Sequence, residues 1–271
     1  MISFPKAKVN LGLRITRRRI DGYHDIESIF YPVGLSDALE FKVAPKATAD
    51  ELTVTGLPIP GSTTDNLVTT AVKMLRKKFD IPYLKIHLHK AIPSGGGLGG
   101  GSSDASYMLK SLNKYFKLGL NVDELKKLSL GIGSDCPFFI EAEPALAMKR
   151  GELLTPMPKF LEGMYIVILH PSININTKEA YKNCFPHKQD QSLPELVKNR
   201  PSDWKRVIFN DFENYIFSRH PEIGELKRYL YNSGAIFSSM TGSGSAVYGI
   251  FGHKPSISQS IHRYLIYQGE L

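Results

Sequence analysis

From Lys6 to Ile15 the chain alternates, with Val9, Leu11, Leu13 and Ile15 on one side and Lys8, Asn10 and Gly12 on the other. That period of two predicts a half-buried strand. "RRRIDGYH" then carries an Asp-Gly turn signal, and "DIESIFYPV", "DALEFKVA" and "ELTVTGL" predict three further extended segments. The spacing becomes helical in "DNLVTTAVKMLRKKF", where Leu67, Ala71, Met74 and Leu75 recur and Asp65 is the expected N-cap. "LKIHLHK" alternates again. "SDASYMLKSLNKYF" gathers Ala105, Met108, Leu109 and Leu112 on one helical face, and "NVDELKKLSL" predicts a helix capped by Asn121. Later, "MYIVILHP" reads as a buried strand and "TKEAYKNCF" as a helix with Thr177 as N-cap. Residues 186–202 read as a polar loop, and "IGELKRYLYNSG" as a helix closed by a glycine. "AIFSSMTGSGSAVYGIFG" predicts strand, glycine turn, strand, and "SISQSIHRYLIYQ" a last helix. Strands come in runs rather than in strict βαβ order, so the expected class is α+β.

Composition narrows this picture only slightly. A chain of 271 residues, 42% hydrophobic and 22% charged, is long enough for a substantial core in one or two domains. No apolar run approaches the length of a membrane span, and "MISFPKAKVN" lacks the features of a secretory leader. Cys136 and Cys184 are far apart, so two reduced thiols in a cytoplasmic protein are expected. The net charge of +8 admits nucleic acid, a membrane surface or an anionic small molecule. The densest basic groups, Arg17–Arg19 and Arg76–Lys78, come without an RNA-binding aromatic pattern or zinc spacing. They read as a solvated turn and a helix end.

The chemistry concentrates in "PSGGGLGGGSSDAS", residues 93–106. A strand, a glycine-rich loop and a helix start together hold phosphates, because bare backbone N–H groups and the positive end of the helix converge on one point. The loop has no Gly-Lys-Ser/Thr ending, so it is not a Walker loop. Gly95, Gly97 and Gly100 match the dinucleotide spacing, but Asp123 falls in a helix rather than at a strand end. No protein-kinase catalytic loop follows.

The order of motifs resembles the GHMP kinase superfamily and, within it, the 4-diphosphocytidyl-2-C-methyl-D-erythritol kinases. "PKAKVNLGL", "DGYHDIES", the long glycine loop, "GSDCPFF" and "MTGSGSAVYGIF" carry the likeness from residue 5 to 251. The resemblance implies a two-domain α+β GHMP kinase fold. Residues 1–155 would form an ATP-binding and catalytic domain like ribosomal protein S5 domain 2, and residues 156–271 a ferredoxin-like substrate-binding domain. It implies phosphoryl transfer from ATP to the 2-hydroxyl of the cytidylylated methylerythritol, with Mg²⁺ as the accompanying cation. Asp135 would be the general base. Lys8 would sit beside it, holding it ionised and stabilising the transferring group. Pro93, Gly95, Gly96, Gly97, Leu98, Gly99, Gly100, Gly101, Ser102 and Ser103 would take the ATP phosphates, and Asn66 the nucleoside. Ser103 is one candidate Mg²⁺ ligand. Asn10 would position substrate, Tyr23 and His24 would serve the cytosine, and Thr177 the substrate phosphates. Gly242, Ser243 and Gly244 would approach the methylerythritol. Ser134, Cys136 and Ser106 depart from the more usual Ala, Val and Ala. A small-molecule substrate, no nucleic acid, no membrane, and a monomer or weak homodimer are expected.

Overall fold

In the computed structural model, residues 1–59, 65–186 and 190–271 are described. The strands are β1 (Ile2–Ser3), β2 (Lys6–Arg18), β3 (His24–Ser36), β4 (Ala38–Val43), β5 (Glu51–Gly56), β6 (Leu84–Lys90), β7 (Ala145–Lys149), β8 (Leu153–Pro156), β9 (Tyr165–Leu169), β10 (Phe237–Met240), β11 (Val247–Phe251) and β12 (Leu265–Glu270). The α-helices are α1 (Leu67–Arg76), α2 (Gly100–Phe116), α3 (Val122–Leu130), α4 (Cys136–Glu141), α5 (Thr177–Lys182), α6 (Leu193–Leu196), α7 (Glu213–Arg219) and α8 (Pro221–Asn232). Helices and sheets are mixed as α+β.

Two compact units emerge, and they do not follow a single cut at residue 155. The first comprises Met1–Ala7, Leu35–Ser94 and Gly99–Glu143; the second comprises Lys8–Gly34, Gly95–Leu98 and Pro144–Leu271. The physical reason lies in β2 and β3. β3 pairs with β7, and Leu13, Ile15 and Ile26 pack in one core with Val167 and Leu169.

In the first unit the sheet runs β1-β4-β6-β5, with β4 antiparallel and β5 parallel to β6. Leu39, Phe41, Ile86 and Leu88 of this sheet bury against Val68 and Leu75 of α1 and Met108, Leu109 and Leu112 of α2. Each such side chain contributes about 1.5–3 kcal/mol by leaving water. The predicted cap of α1 is displaced by one residue: Asn66, not Asp65, accepts from the Val68 N–H at 2.9 Å. Asn121 caps α3 as predicted, in a reciprocal box with Glu124.

The second unit holds a sheet ordered β2-β3-β7-β8 and another ordered β10-β11-β9-β12. The latter is antiparallel throughout, and its order is that of a ferredoxin-like split βαβ. Its core joins Val167, Leu169, Val247 and Phe251 to Ile223, Leu226 and Leu230 of α8. Four sequence expectations change here. β2 is buried on both faces rather than one, because its polar side is fully engaged by partners such as Ser28 and Glu27. Asn176, not Thr177, caps α5, accepting from the N–H groups of Lys178 and Glu179. The stretch read as a loop over 186–202 contains α6 and opens a 3₁₀ turn, Pro201–Arg206, because Leu193, Leu196 and Trp204 are buried anchors; its residues 187–189 lie outside the described residues. The expected last helix is a 3₁₀ turn, Gln259–Tyr264, followed by β12.

Candidate active site

The glycine-rich segment leaves β6, passes through the second unit as Gly95–Leu98 and returns to the first as α2. Gly99 is the N-cap of α2, at φ 72°, with no side chain to satisfy the first amides. Those amides have no acceptor within the helix, so the positive end of a 17-residue helix is left for an anion. Ser102 and Ser103 lie inside this first turn rather than capping it. Ser103 is buried, and its Oγ has no hydrogen-bond partner among the described residues. Gly101 is exposed, and among the described residues a Cβ there would meet only Leu67 Cδ1, at 3.7 Å. Gly100 differs: a Cβ there would press on Ile92 at 2.9 Å, so packing demands that glycine. Asn66 precedes Leu67 and spends its side-chain oxygen on the α1 cap. Pro93 is half-buried ahead of the loop.

Asp135 is the half-buried residue before α4, and its carboxylate does not cap that helix. The turn that carries it is fastened to α2: Ser106 Oγ lies 2.8 Å from the carbonyl oxygens of both Ser102 and Cys136. Ser106 therefore makes a buried tie between the two elements. Burial pushes the Cys136 thiol up to about 11, so it stays protonated and inert at neutral pH.

In the second unit, Lys8 and Asn10 meet the middle of the glycine segment. The Lys8 N–H donates to the Leu98 carbonyl at 3.0 Å, and the Ala246 N–H to that of Gly96 at 3.2 Å. Thr241 Oγ1 lies 3.1 Å from the Gly97 carbonyl oxygen. The Lys8 ammonium donates to Asn10 Oδ1 at 2.6 Å and lies 4.7 Å from the Phe30 ring centroid. Asn10 Nδ2 donates to Ser28 Oγ at 2.8 Å, and Tyr248 OH donates to the Asn10 carbonyl at 2.8 Å. Asn10 is thus largely committed to holding Lys8. Gly97 sits at φ 77°, and a Cβ there would run into the Thr241 carbonyl. Its glycine is required by the β10–β11 turn.

The remaining expected substrate residues gather in this unit too. Thr177 Oγ1 and Ser243 Oγ are 2.9 Å apart. Gly242, whose carbonyl accepts from Asn210 Nδ2 at 2.8 Å, and Gly244 adopt positive φ in the turn. His24 is buried and stacks on Tyr181 at 5.1 Å with 26° between the rings. Burial, reinforced by the charge of Arg18, lowers the His24 pKa and keeps the ring neutral at neutral pH, able to donate and accept. Tyr23 is exposed, with the Arg150 guanidinium 5.2 Å over its ring.

Sequence reasoning missed Thr241, Ser28, Tyr181 and a buried trio, Asp37, Lys90 and Asp104. Only the trio left a signal: the alternation of β6 places Lys90 in phase with Leu84, Ile86 and Leu88, on the buried side. Burial pushes the Asp104 carboxyl up to about 7 against the attraction of Lys90. Among the described residues no group of three or more His, Cys, Asp or Glu side chains is arranged to hold a metal ion, and no helix is long and apolar enough to cross a membrane.

The family model for the GHMP kinases N terminal domain matches residues 66–142, and that for GHMP kinases C terminal matches residues 192–266. The 4-diphosphocytidyl-2-C-methyl-D-erythritol kinase of Porphyromonas gingivalis is 48% identical over 96% of this chain and 95% of its own. That of Bacteroides thetaiotaomicron is 48% identical over 93% and 92%. A crystal structure of a 4-(cytidine 5'-diphospho)-2C-methyl-D-erythritol kinase superposes with a TM-score of 0.77 at 29% identity, covering 92% of this chain and 90% of that one. The Methanococcus jannaschii mevalonate kinase, at 15% identity and TM-score 0.69 over 97% and 92% of the two chains, shares the fold.

Proposed function

The chain belongs to the GHMP kinases and, among them, to the 4-diphosphocytidyl-2-C-methyl-D-erythritol kinases, and on that premise we infer that it phosphorylates 4-diphosphocytidyl-2-C-methyl-D-erythritol at its 2-hydroxyl with ATP, a step of the non-mevalonate isoprenoid route. The observation that carries the phosphate half of this reading is the uncapped start of α2 behind Gly99. The acceptor half rests on kinship along nearly the whole chain.

An alcohol is a weak nucleophile at neutral pH. In the reading we favour, Asp135 takes the hydroxyl proton as the oxygen bonds to the γ-phosphorus. The bond from that phosphorus to the β,γ-bridging oxygen breaks, and ADP leaves with the electron pair. A positioned base contributes roughly 10²–10⁴ in rate. Lys8, held by Asn10, supplies the cation that stabilises charge on the transferring group. The start of α2, with the glycines and Ser102, takes the ATP phosphates. Mg²⁺ accompanying ATP would supply charge neutralisation on the transferring phosphate. The unpartnered Ser103 hydroxyl fits such a group and is its candidate protein ligand. His24 addresses the cytosine edge, and Tyr23 and Tyr181 offer ring faces beside it. Thr177, Ser243 and the Gly242 turn serve the rest of the acceptor. The working enzyme is proposed to be cytoplasmic, a monomer or weak homodimer, with no nucleic-acid or membrane partner.

The test is ADP release from Mg·ATP with the cytidylylated methylerythritol, CMP or mevalonate as acceptor. Stimulation by the first alone is expected. Equal stimulation by mevalonate, or none by any acceptor in protein that binds ATP, would overturn the acceptor assignment.

A further inference from the structure

Three charged side chains are buried together in the first unit, and the chemistry above uses none of them. Lys90, the last residue of β6, is 3% exposed at its side chain, as is Asp104; Asp37 is fully enclosed. The Lys90 ammonium donates to Asp37 Oδ2 and, at 2.7 Å, to Asp104 Oδ2. The other oxygen of Asp37 accepts from the backbone N–H groups of Ala91 at 2.6 Å and Ile92 at 2.8 Å. The Lys90 carbonyl is itself fixed by the Leu57 N–H at 2.9 Å. A Cβ on Gly100 would lie 3.2 Å from the ammonium, which therefore rests directly against the start of α2.

Stability does not explain this arrangement. Withdrawing an ammonium and two carboxyl groups from water is often no better than a well-packed apolar replacement. What the trio does provide is a fixed geometry. Ala91 and Ile92 are where the chain enters the glycine-rich segment, and Gly100 to Asp104 are where it leaves. Glycines alone cannot hold those ends in register, because each adds backbone freedom.

We propose that Lys90 is a positioning residue for the nucleotide site: by bridging Asp37 and Asp104 it pins the entrance of the glycine-rich segment to the first turns of α2 and holds the uncapped amides of that helix ready for the ATP phosphates. The proposal rests on the reading of the α2 start as the ATP site. A preorganised anion site binds more tightly because little ordering remains to be done on binding.

The trial variant is Asp104→Ala. It leaves the Asp37–Lys90 pair neutral and hydrogen-bonded, so folding survives, whereas Lys90→Met would strand two buried carboxylates. The readouts are KM for ATP, KM for the acceptor, and deuterium exchange of residues 91–103 in nucleotide-free protein. Asp104→Ala is expected to raise KM for ATP about ten-fold, leave the acceptor KM within about two-fold, and speed exchange in the segment. Asp104→Asn keeps an oxygen for Lys90 and is expected to restore both. Wild-type KM and exchange in Asp104→Ala would overturn the proposal, as would equal impairment in Asp104→Asn, which would make charge rather than tethering the cause. Failure of the wild-type protein to bind ATP in a calorimeter would instead overturn the underlying site.

Discussion

Gly101→Ala separates what the glycine loop does for the fold from what it does for the ligand. Gly101 is the second residue of α2, exposed, and among the described residues a Cβ there meets only Leu67 Cδ1, at an ordinary 3.7 Å. No described side chain or backbone atom packed around Gly101 demands glycine there. Alanine is the better helix former by about 0.5–1 kcal/mol. The variant should therefore melt higher, by about 2 °C for a chain of this size. A methyl on the face where phosphates approach the first amides should also keep them at a distance. Losing about 1.4 kcal/mol of that contact raises the KM for ATP about ten-fold. Scanning calorimetry of the free protein and coupled-assay kinetics with varied ATP measure both effects on one preparation. A raised melting temperature with unchanged KM for ATP would refute the idea that bare backbone at Gly101 faces the triphosphate. A lowered melting temperature would refute the packing analysis.

Gly97→Ala should behave in the opposite way, destabilising even the nucleotide-free protein by at least about 1–2 kcal/mol, since φ is 77° and the Thr241 carbonyl stands where the Cβ would go; wild-type denaturant stability would contradict this. Tyr181→Ala removes the ring stacked on His24 and should raise the acceptor KM about five-fold with KM for ATP unchanged, while Tyr181→Phe stays near wild type; an unmoved acceptor KM in the alanine variant would remove Tyr181 from the site. For Asp104, burial raises the folded pKa from its ordinary value to about 7. Its contribution to stability is therefore present at low pH and is lost as pH rises through about 7. Wild type should lose stability relative to Asp104→Asn as pH rises from about 4 to about 7 in urea titrations, and a constant difference would contradict the assigned shift.

The residues legible in the sequence were those whose chemistry or periodicity is local. The helical faces of α1 and α2 and the alternation of β6 place their core residues correctly, because one buried face imposes one period. The caps miss by one residue at Asn66 and Asn176, each beside another residue able to cap, and only the backbone geometry chooses between neighbours. β2 looked half-solvated because Lys8, Asn10 and Arg14 are polar. They are buried through partners at Ser28, Glu27, Thr241 and Tyr248, some more than 200 residues away, which no local pattern can announce. The end of the chain misled for a different reason. Ile257, Ile261, Tyr264 and Leu265 keep helical spacing and do pack on the core, but through a 3₁₀ turn that hands over to the edge strand β12. The glycine loop stands out in the sequence as a candidate phosphate site, whereas the close packing of Gly97 on the Thr241 carbonyl and of Gly100 on Ile92 is visible only in the structure.

In the proposed reaction Asp135 removes the acceptor proton while other groups bind ATP. Single-turnover transfer of ³²P from ATP to the cytidylylated methylerythritol, in wild type and Asp135→Asn, tests it most directly, with ATP affinity measured on the same samples. Transfer slowed by roughly 10²-fold or more at nearly unchanged ATP affinity is expected. Transfer at the wild-type rate in the variant, with folding and ATP binding intact, would contradict it.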